Sequence, residues 1–318
     1  MKSEKKIRRM VEIARMYYEE DIKQEDIAKI LDVSRPLVSK ILAEAKSSGI
    51  VNISINSPLD EKNILESELI EKFGLENVII IENAESKELT NSRLYQAAAN
   101  IINRLMISTN LDSSKNKEKF NIGLGWGEKV YYSLTEMDEM NSYFGNTCAL
   151  IGNFPSLDKA YHSNEIIRIF SEKTETKPEY VYAPAFFKTD EEKKDYTNLN
   201  KFKDTKELWK NLDIAVVGVE NYPSISDFTS IPWFRDKLQK KNAIGEVVNH
   251  YFDINGNIIE DLNDNTMHIP VVYLKNTKRI VVITSEDTKS ETILGLMRAR
   301  LVTDIVLTRK AALEIVKI

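Results

Sequence analysis

The residues with most to offer chemically surround a glycine-rich turn, Ile122-Gly123-Leu124-Gly125-Trp126-Gly127-Glu128-Lys129. The pattern reads as a strand, a tight turn and the start of a helix. Glycines let a backbone approach a ligand closely, and the free N–H groups of a helix start welcome an anion such as phosphate. Gly123, Gly125, Gly127 and Lys129 are therefore candidate binding residues. The same glycines also suit a tight turn that only packs, and the turn alone leaves both readings open. The spacing is not a dinucleotide fingerprint, and no Gly-Lys-Ser/Thr marks a Walker loop. Glu246, after Ala243-Ile244-Gly245, is a carboxylate able to accept hydrogen bonds from sugar hydroxyls. Lys289 stands near Ser285 and Asp287, just ahead of a helical stretch. Each of these two also reads as a solvated charge. His162, His250 and His268 lack metal spacing and Cys148 is alone, so no metal and no cofactor are expected. No Ser/His/Asp order or nucleophile elbow is visible, and no catalytic residue is assigned.

A second constellation points to nucleic acid. In Gln24-Glu25-Asp26-Ile27-Ala28-Lys29-Ile30-Leu31, the residues Ile27, Ala28, Ile30 and Leu31 form an apolar stripe at helical spacing. Asp32-Val33 stops that helix. Ser34 is placed to cap the next one, and Pro36 sits in its first turn. Val38, Ile41, Leu42 and Ala45 then face inward, leaving Arg35, Leu37, Ser39, Lys40 and Glu44 outside. Two short helices joined by such a turn form the DNA-binding unit of many regulators, and the second enters the major groove. Arg35 suits a bidentate guanine contact, Ser39 and Lys40 a base or a phosphate, and Gln24 a phosphate. Ser34 and Pro36 set the start of the reading helix. The competing reading is an ordinary helical hairpin with solvated charges.

The elements around these groups divide the chain. At 318 residues it exceeds one typical domain, and its 42% hydrophobic content suits a globular protein with a full core. Residues 1–50 carry eleven Lys/Arg against nine Asp/Glu, so a head of +2 joins a body of −7. That asymmetry fits a DNA-binding module on a body that does not bind DNA, and favours several heads acting together. No apolar run is long enough to span a bilayer, the start lacks a secretory signal, and the single cysteine cannot pair internally. These features point to the cytoplasm and away from a membrane.

An amphipathic helix over residues 6–18 is expected to complete the head's core, with Ile7, Met10, Val11, Ala14, Tyr17 and Tyr18 inward. Residues 50–55 alternate like a half-buried strand, a candidate wing, before the break Asn56-Ser57-Pro58. A helix over 59–73 ends at Gly74. Beyond it, apolar runs at 78–81, 121–124, 148–151, 181–182, 214–217, 271–273, 280–283 and 305–307 read as strands. They alternate with helical stretches at 94–106, 129–137, 164–173, 205–210, 290–298 and 309–316. Residues 110–119 and 190–203 read as surface loops. Continuous apolar strands alternating with helices describe a doubly wound parallel α/β domain.

Taken together, these residues resemble the SorC family of bacterial sugar-responsive transcriptional regulators, over nearly the whole chain. The head matches in Gln24-Glu25-Asp26-Ile27-Ala28, Val33-Ser34-Arg35, Val38-Ser39-Lys40-Ile41-Leu42 and Gly49-Ile50-Val51. The body matches in Phe73-Gly74-Leu75, the 122–127 turn, Ala183-Pro184-Ala185, Val217-Gly218-Val219, Gly245-Glu246, Phe252-Asp253 with Gly256, and Lys289 with Ile293. The resemblance implies an effector domain related to phosphosugar isomerases and deaminases, typically without catalysis. It implies an oligomer, usually a tetramer, on palindromic operators. Its effector would be a phosphorylated sugar whose phosphate sits at the turn after Gly123-Leu124-Gly125. The chain departs from the family where Glu128-Lys129 replaces a small hydroxylated residue after Trp-Gly, at Ser285-Glu286, at Leu307-Thr308-Arg309, and at Ile151 before Gly152.

The expected fold is therefore α+β multidomain: a helix-turn-helix, winged-helix-like domain over 1–56, and an α/β Rossmann-like phosphosugar-isomerase-type domain over 57–318 for effector binding and oligomerisation. The expected function is a DNA-binding transcriptional regulator of a carbohydrate-utilisation operon, not an enzyme. Its partners would be double-stranded operator DNA, a phosphorylated sugar and further copies of itself, as dimer or tetramer. The rival is a sugar-phosphate isomerase or deaminase with a helical appendage.

Overall fold

The computed structural model describes residues 2–48, 50–51, 61–116, 119–137, 145–154, 158–223, 237–259 and 265–318. The head is three helices, α1 (Lys2–Tyr18), α2 (Gln24–Ile30) and α3 (Arg35–Ser47), each packed on the other two. Their shared core is Met10, Ile13, Ala14, Ile27, Ala28, Val38, Leu42 and Ala45. Ile13 is fully buried, although the expected α1 stripe left it out. Ile30, expected inside, is exposed at the last position of α2. Between the two helices Asp32 takes a left-handed φ of 49°, and the Val33 N–H returns to the Ala28 carbonyl at 2.9 Å, which seats Val33 against the core. Ser34 occupies the N-cap of α3, but its side chain makes no capping bond, contrary to expectation. Its carbonyl instead accepts the N–H groups of Leu37 and Val38. Of the expected wing, residues 50 and 51 are bends, and 52–55, with the 56–58 break, lie outside the described residues.

After α4 (Glu61–Phe73), Gly74 reverses the chain at φ 66° into a parallel sheet. Its strands are β1 (Asn77–Ile81), β2 (Phe120–Leu124), β3 (Gly145–Ala149), β4 (Lys177–Glu179), β5 (Ile214–Gly218), β9 (Arg279–Ile283) and β10 (Asp304–Thr308), in the order β1-β10-β9-β5-β2-β3-β4. Consecutive residues of β5, β9 and β10 are buried, so both faces are covered. α5 (Lys87–Asn116) lies on β9 and β10, α6 (Glu128–Thr135) on β5, and α7 (Ser163–Thr174) on β3. A second group of helices includes α4, α9 (Asn200–Lys210), α10 (Val271–Lys275), α11 (Ser290–Arg298) and α12 (Arg309–Lys317), with α8 (Asp190–Thr197) leading into α9. A small antiparallel sheet, β6 (Glu220–Asn221), β7 (Gly245–Val247) and β8 (His250–Phe252), follows β5 and was not expected.

Several expected elements differ, each for a local reason. Residues 110–116 continue α5 and 190–197 form α8 rather than loops, since neither stretch contains the Gly or Pro that would end a helix. Thr189 caps α8 by accepting the Glu192 N–H at 3.2 Å, and Asp190, Glu191 and Glu192 suit its positive end. Residues 271–273 are helical, because the Pro270 carbonyl accepts from Tyr273 and Leu274 and starts α10. Residues 181–182 are not a strand. Val181 satisfies its N–H on Asn164 and its carbonyl on Asn153 and Asn164, without a neighbouring strand. The third strand ends at Ala149, two residues short of the expected run.

Candidate functional site

Ligands in open α/β sheets bind beyond the carboxyl ends of the strands, where the strand order reverses. Here β2 leads outward to β3 and β4, whereas β5 leads the other way to β9 and β10. The crevice between the ends of β2 and β5 opens into a cavity of about 440 Å³. From β2 and its turn come Trp126, Gly127, Glu128 and Lys129, and from the end of β5 come Gly218, Glu220 and Asn221. α5 contributes Lys87, Asn91 and Tyr95, and β7 contributes Glu246.

Lys129 is the central cation. Its side chain is 9% exposed, its aliphatic stem lies over Gly218, and its ammonium donates to the Glu220 carboxylate. Glu220 stands directly opposite Glu246 in the antiparallel β6–β7 pair, so the two carboxylates share a face. Glu246 is buried and accepts the Asn249 N–H at 2.8 Å. Across the cavity Lys87 pairs with Asp287, and that hydrogen bond holds its ammonium above the usual lysine range. Burial, with Glu128 and Glu220 nearby, pushes the Tyr95 hydroxyl well above its ordinary value. Tyr161 is raised first by its hydrogen bond to Tyr132, then by burial. Both phenols therefore stay protonated, Tyr161 with its O–H directed at Tyr132.

Two asparagines tie the loops that frame this crevice. Asn221 donates to the Asp287 carbonyl at 2.8 Å and accepts the Lys289 N–H at 2.9 Å. Asn91 accepts the Glu286 N–H at 2.8 Å. The loop after β9 is thereby held to both β6 and α5.

Of the six residues singled out for a ligand, Gly127, Lys129 and Glu246 line the cavity. Gly127 takes a φ of 95°, which glycine adopts without strain, and its N–H donates to the Tyr161 carbonyl. Gly123 lies within β2, where an added Cβ would come within 2.3 Å of Leu150. Gly125 spends its N–H on the Val216 carbonyl at 2.8 Å. Lys289 is exposed at the N-cap of α11, outside the cavity lining. Glu220, Tyr95, Tyr161 and Lys87 were not singled out. Glu220 carried a usable signal, since it follows the end of β5 by two residues, where the strand-end rule directs attention. Tyr95, Lys87 and Tyr161 come from α5 and a loop, and nothing in their spacing marks them. Among the described residues no three His, Cys, Asp or Glu gather as a metal site.

In the head, Ser34, Arg35, Pro36, Ser39 and Lys40 are exposed, and Gln24 is half-buried at the start of α2. Arg35 lies 3.9 Å from Glu25 with both side chains largely open to solvent, so the guanidinium remains available. Lys40 is exposed on α3 as well. Among the described residues no helix is long and apolar enough to cross a membrane.

Comparison with known proteins places this architecture. Residues 57–317 match the model of the sugar-binding domain family, Sugar-bind. The chain is 26% identical to the sorbitol operon regulator of Klebsiella pneumoniae, over 98% of each protein. It is 25% identical to the deoxyribonucleoside regulator of Bacillus subtilis, over 96% of each. Identity to the transcriptional regulator LsrR of Escherichia coli is 22%, over 96% of this chain and 93% of that one. The crystal structure of the full-length Klebsiella sorbitol operon regulator superposes with a TM-score of 0.70 at 26% identity, covering 97% of this chain and 98% of that one. These relatives are regulators, not enzymes, and the chain belongs to the SorC family of sugar-binding transcriptional regulators.

Proposed function

We propose that the chain controls a carbohydrate-utilisation operon by binding a two-fold operator through α3 and a sugar effector in the switch-point cavity. The observation that carries the effector half is the pairing of buried Lys129 with partly exposed Glu220, with Glu246 opposite, at the crevice where the strand order reverses. The names of the relatives support the choice of a sugar-linked regulator. Residues 1–56 are the DNA-binding domain in this reading, and 57–318 bind the effector and oligomerise as a dimer or tetramer. A +2 head needs partners to hold DNA tightly, which is why an oligomer is part of the reading. Effector binding shifts the oligomer between arrangements whose heads do or do not match the half-sites, to the extent that it binds one arrangement better. Ser34 and Pro36 start α3, Arg35 and Ser39 read bases, and Lys40 and Gln24 hold phosphates.

The phosphate of the expected phosphorylated effector would be met by Lys129, Lys87 and the start of α6. Glu220 and Asp287 already neutralise those two lysines. The reading therefore commits to a carbohydrate and not to its phosphate.

The DNA half is tested by fluorescence anisotropy on duplexes selected from a random pool. Arg35→Ala is expected to cost about 1–3 kcal/mol and to relax the preference at one base position. Lys40→Ala is expected to weaken all duplexes alike and reduce the salt slope by about 1. Arg35→Ala with unchanged affinity and preference would remove α3 from the interface.

A further inference from the structure

We propose that the cavity is built for an unphosphorylated, uncharged sugar or sugar alcohol and discriminates against its phosphate ester. The inference rests on the cavity being the effector site. Among the described residues five carboxylates line it, Glu128, Asp158, Glu220, Glu246 and Asp287, against the two lysines Lys87 and Lys129. Both lysines already hold a carboxylate from that set, so a phosphate would have to displace Glu220 or Asp287 and then face the remaining negative charge. The place where an anion would otherwise be welcome, the first turn of α6, carries Glu128. Glu128 acts across the cavity, since it helps raise Lys87, Tyr95 and Tyr161.

The same groups suit neutral hydroxyls. An ionised carboxylate only accepts hydrogen bonds, and each sugar hydroxyl brings a donor. Glu220 and Glu246 present their acceptors side by side on one face, and Glu246 is almost wholly buried, so a donor reaching it is shielded from water. Tyr95, Trp126 and Tyr161 supply aromatic surface for the C–H face of a ring or polyol chain. The volume, about 440 Å³, is within the ordinary range for small-molecule sites.

The test is thermal melting and titration calorimetry of the full-length protein with matched pairs. D-glucose, D-fructose, D-ribose and D-sorbitol are each set beside the monophosphate. The expected result is a stabilising shift with at least one free compound and at least tenfold weaker binding of its phosphate. Glu128→Gln is expected to narrow that discrimination about tenfold, because it removes one carboxylate without changing the side chain's shape. A wild-type shift with a phosphate ester alone, lost in Lys129→Met, would overturn this proposal and leave the cavity as the effector site. No shift with any compound, in a preparation that still binds operator through Arg35, would overturn the cavity reading and this proposal with it.

Discussion

Gly123 and Gly127 belong to one sequence motif and do unrelated work. Gly127 uses a φ that other residues resist and opens onto the cavity, whereas Gly123 is small because Leu150 and Leu212 press on it. Gly123→Ala should therefore act through packing. Leu150 is fully buried, so the extra methyl should destabilise by about 1–3 kcal/mol. Chemical denaturation would measure that loss. Wild-type stability with impaired sugar binding would instead place Gly123 at the ligand.

At the scale of elements, the amino end of the sheet depends on a buried charge as much as the carboxyl end does. Asp304 opens β10 fully buried. It accepts from Arg279 at the start of β9 at 2.9 Å, from Asn77 at the start of β1 at 2.6 Å, and from Thr303 at 2.6 Å. Three neighbouring parallel strands are thus pinned in register by one carboxylate. Asp304→Ala leaves the guanidinium without its partner and should cost about 3–5 kcal/mol, measured by urea unfolding. Loss of under 1 kcal/mol would mean that Arg279 finds water instead. The alternation of strand and helix in the sequence gives no hint of this pin, because Asn77 and Asp304 are 227 residues apart in the chain.

For the molecule as a whole, the head core and the body core share no residue among the described ones. Leu42→Ala should cost the head about 2–5 kcal/mol and abolish operator binding. Calorimetry should find the unfolding of the sheet domain unchanged. A matching drop in the sheet transition would show the two modules folding as one unit.

The local pattern of the chain was enough for the three head helices, most strands of the sheet and the turn from Gly125 to Lys129. Each depends on hydrophobic period, turn residues and neighbours close in sequence. The resemblance carried by the motifs in their order was likewise enough for the SorC family. Tertiary structure alone decided which charges meet. Lys129 reads as an open cation in sequence, yet folding sets it against Glu220, 91 residues later. Lys87 meets Asp287 in the same way, and β6 brings Glu220 opposite Glu246 through a small sheet whose strands are only two or three residues long. Strands so short carry no periodicity, and ion pairs across the sheet carry no spacing. The fold class was therefore written in the chain's local pattern, while the electrostatic character of the cavity arose only when distant segments converged at the reversal of strand order.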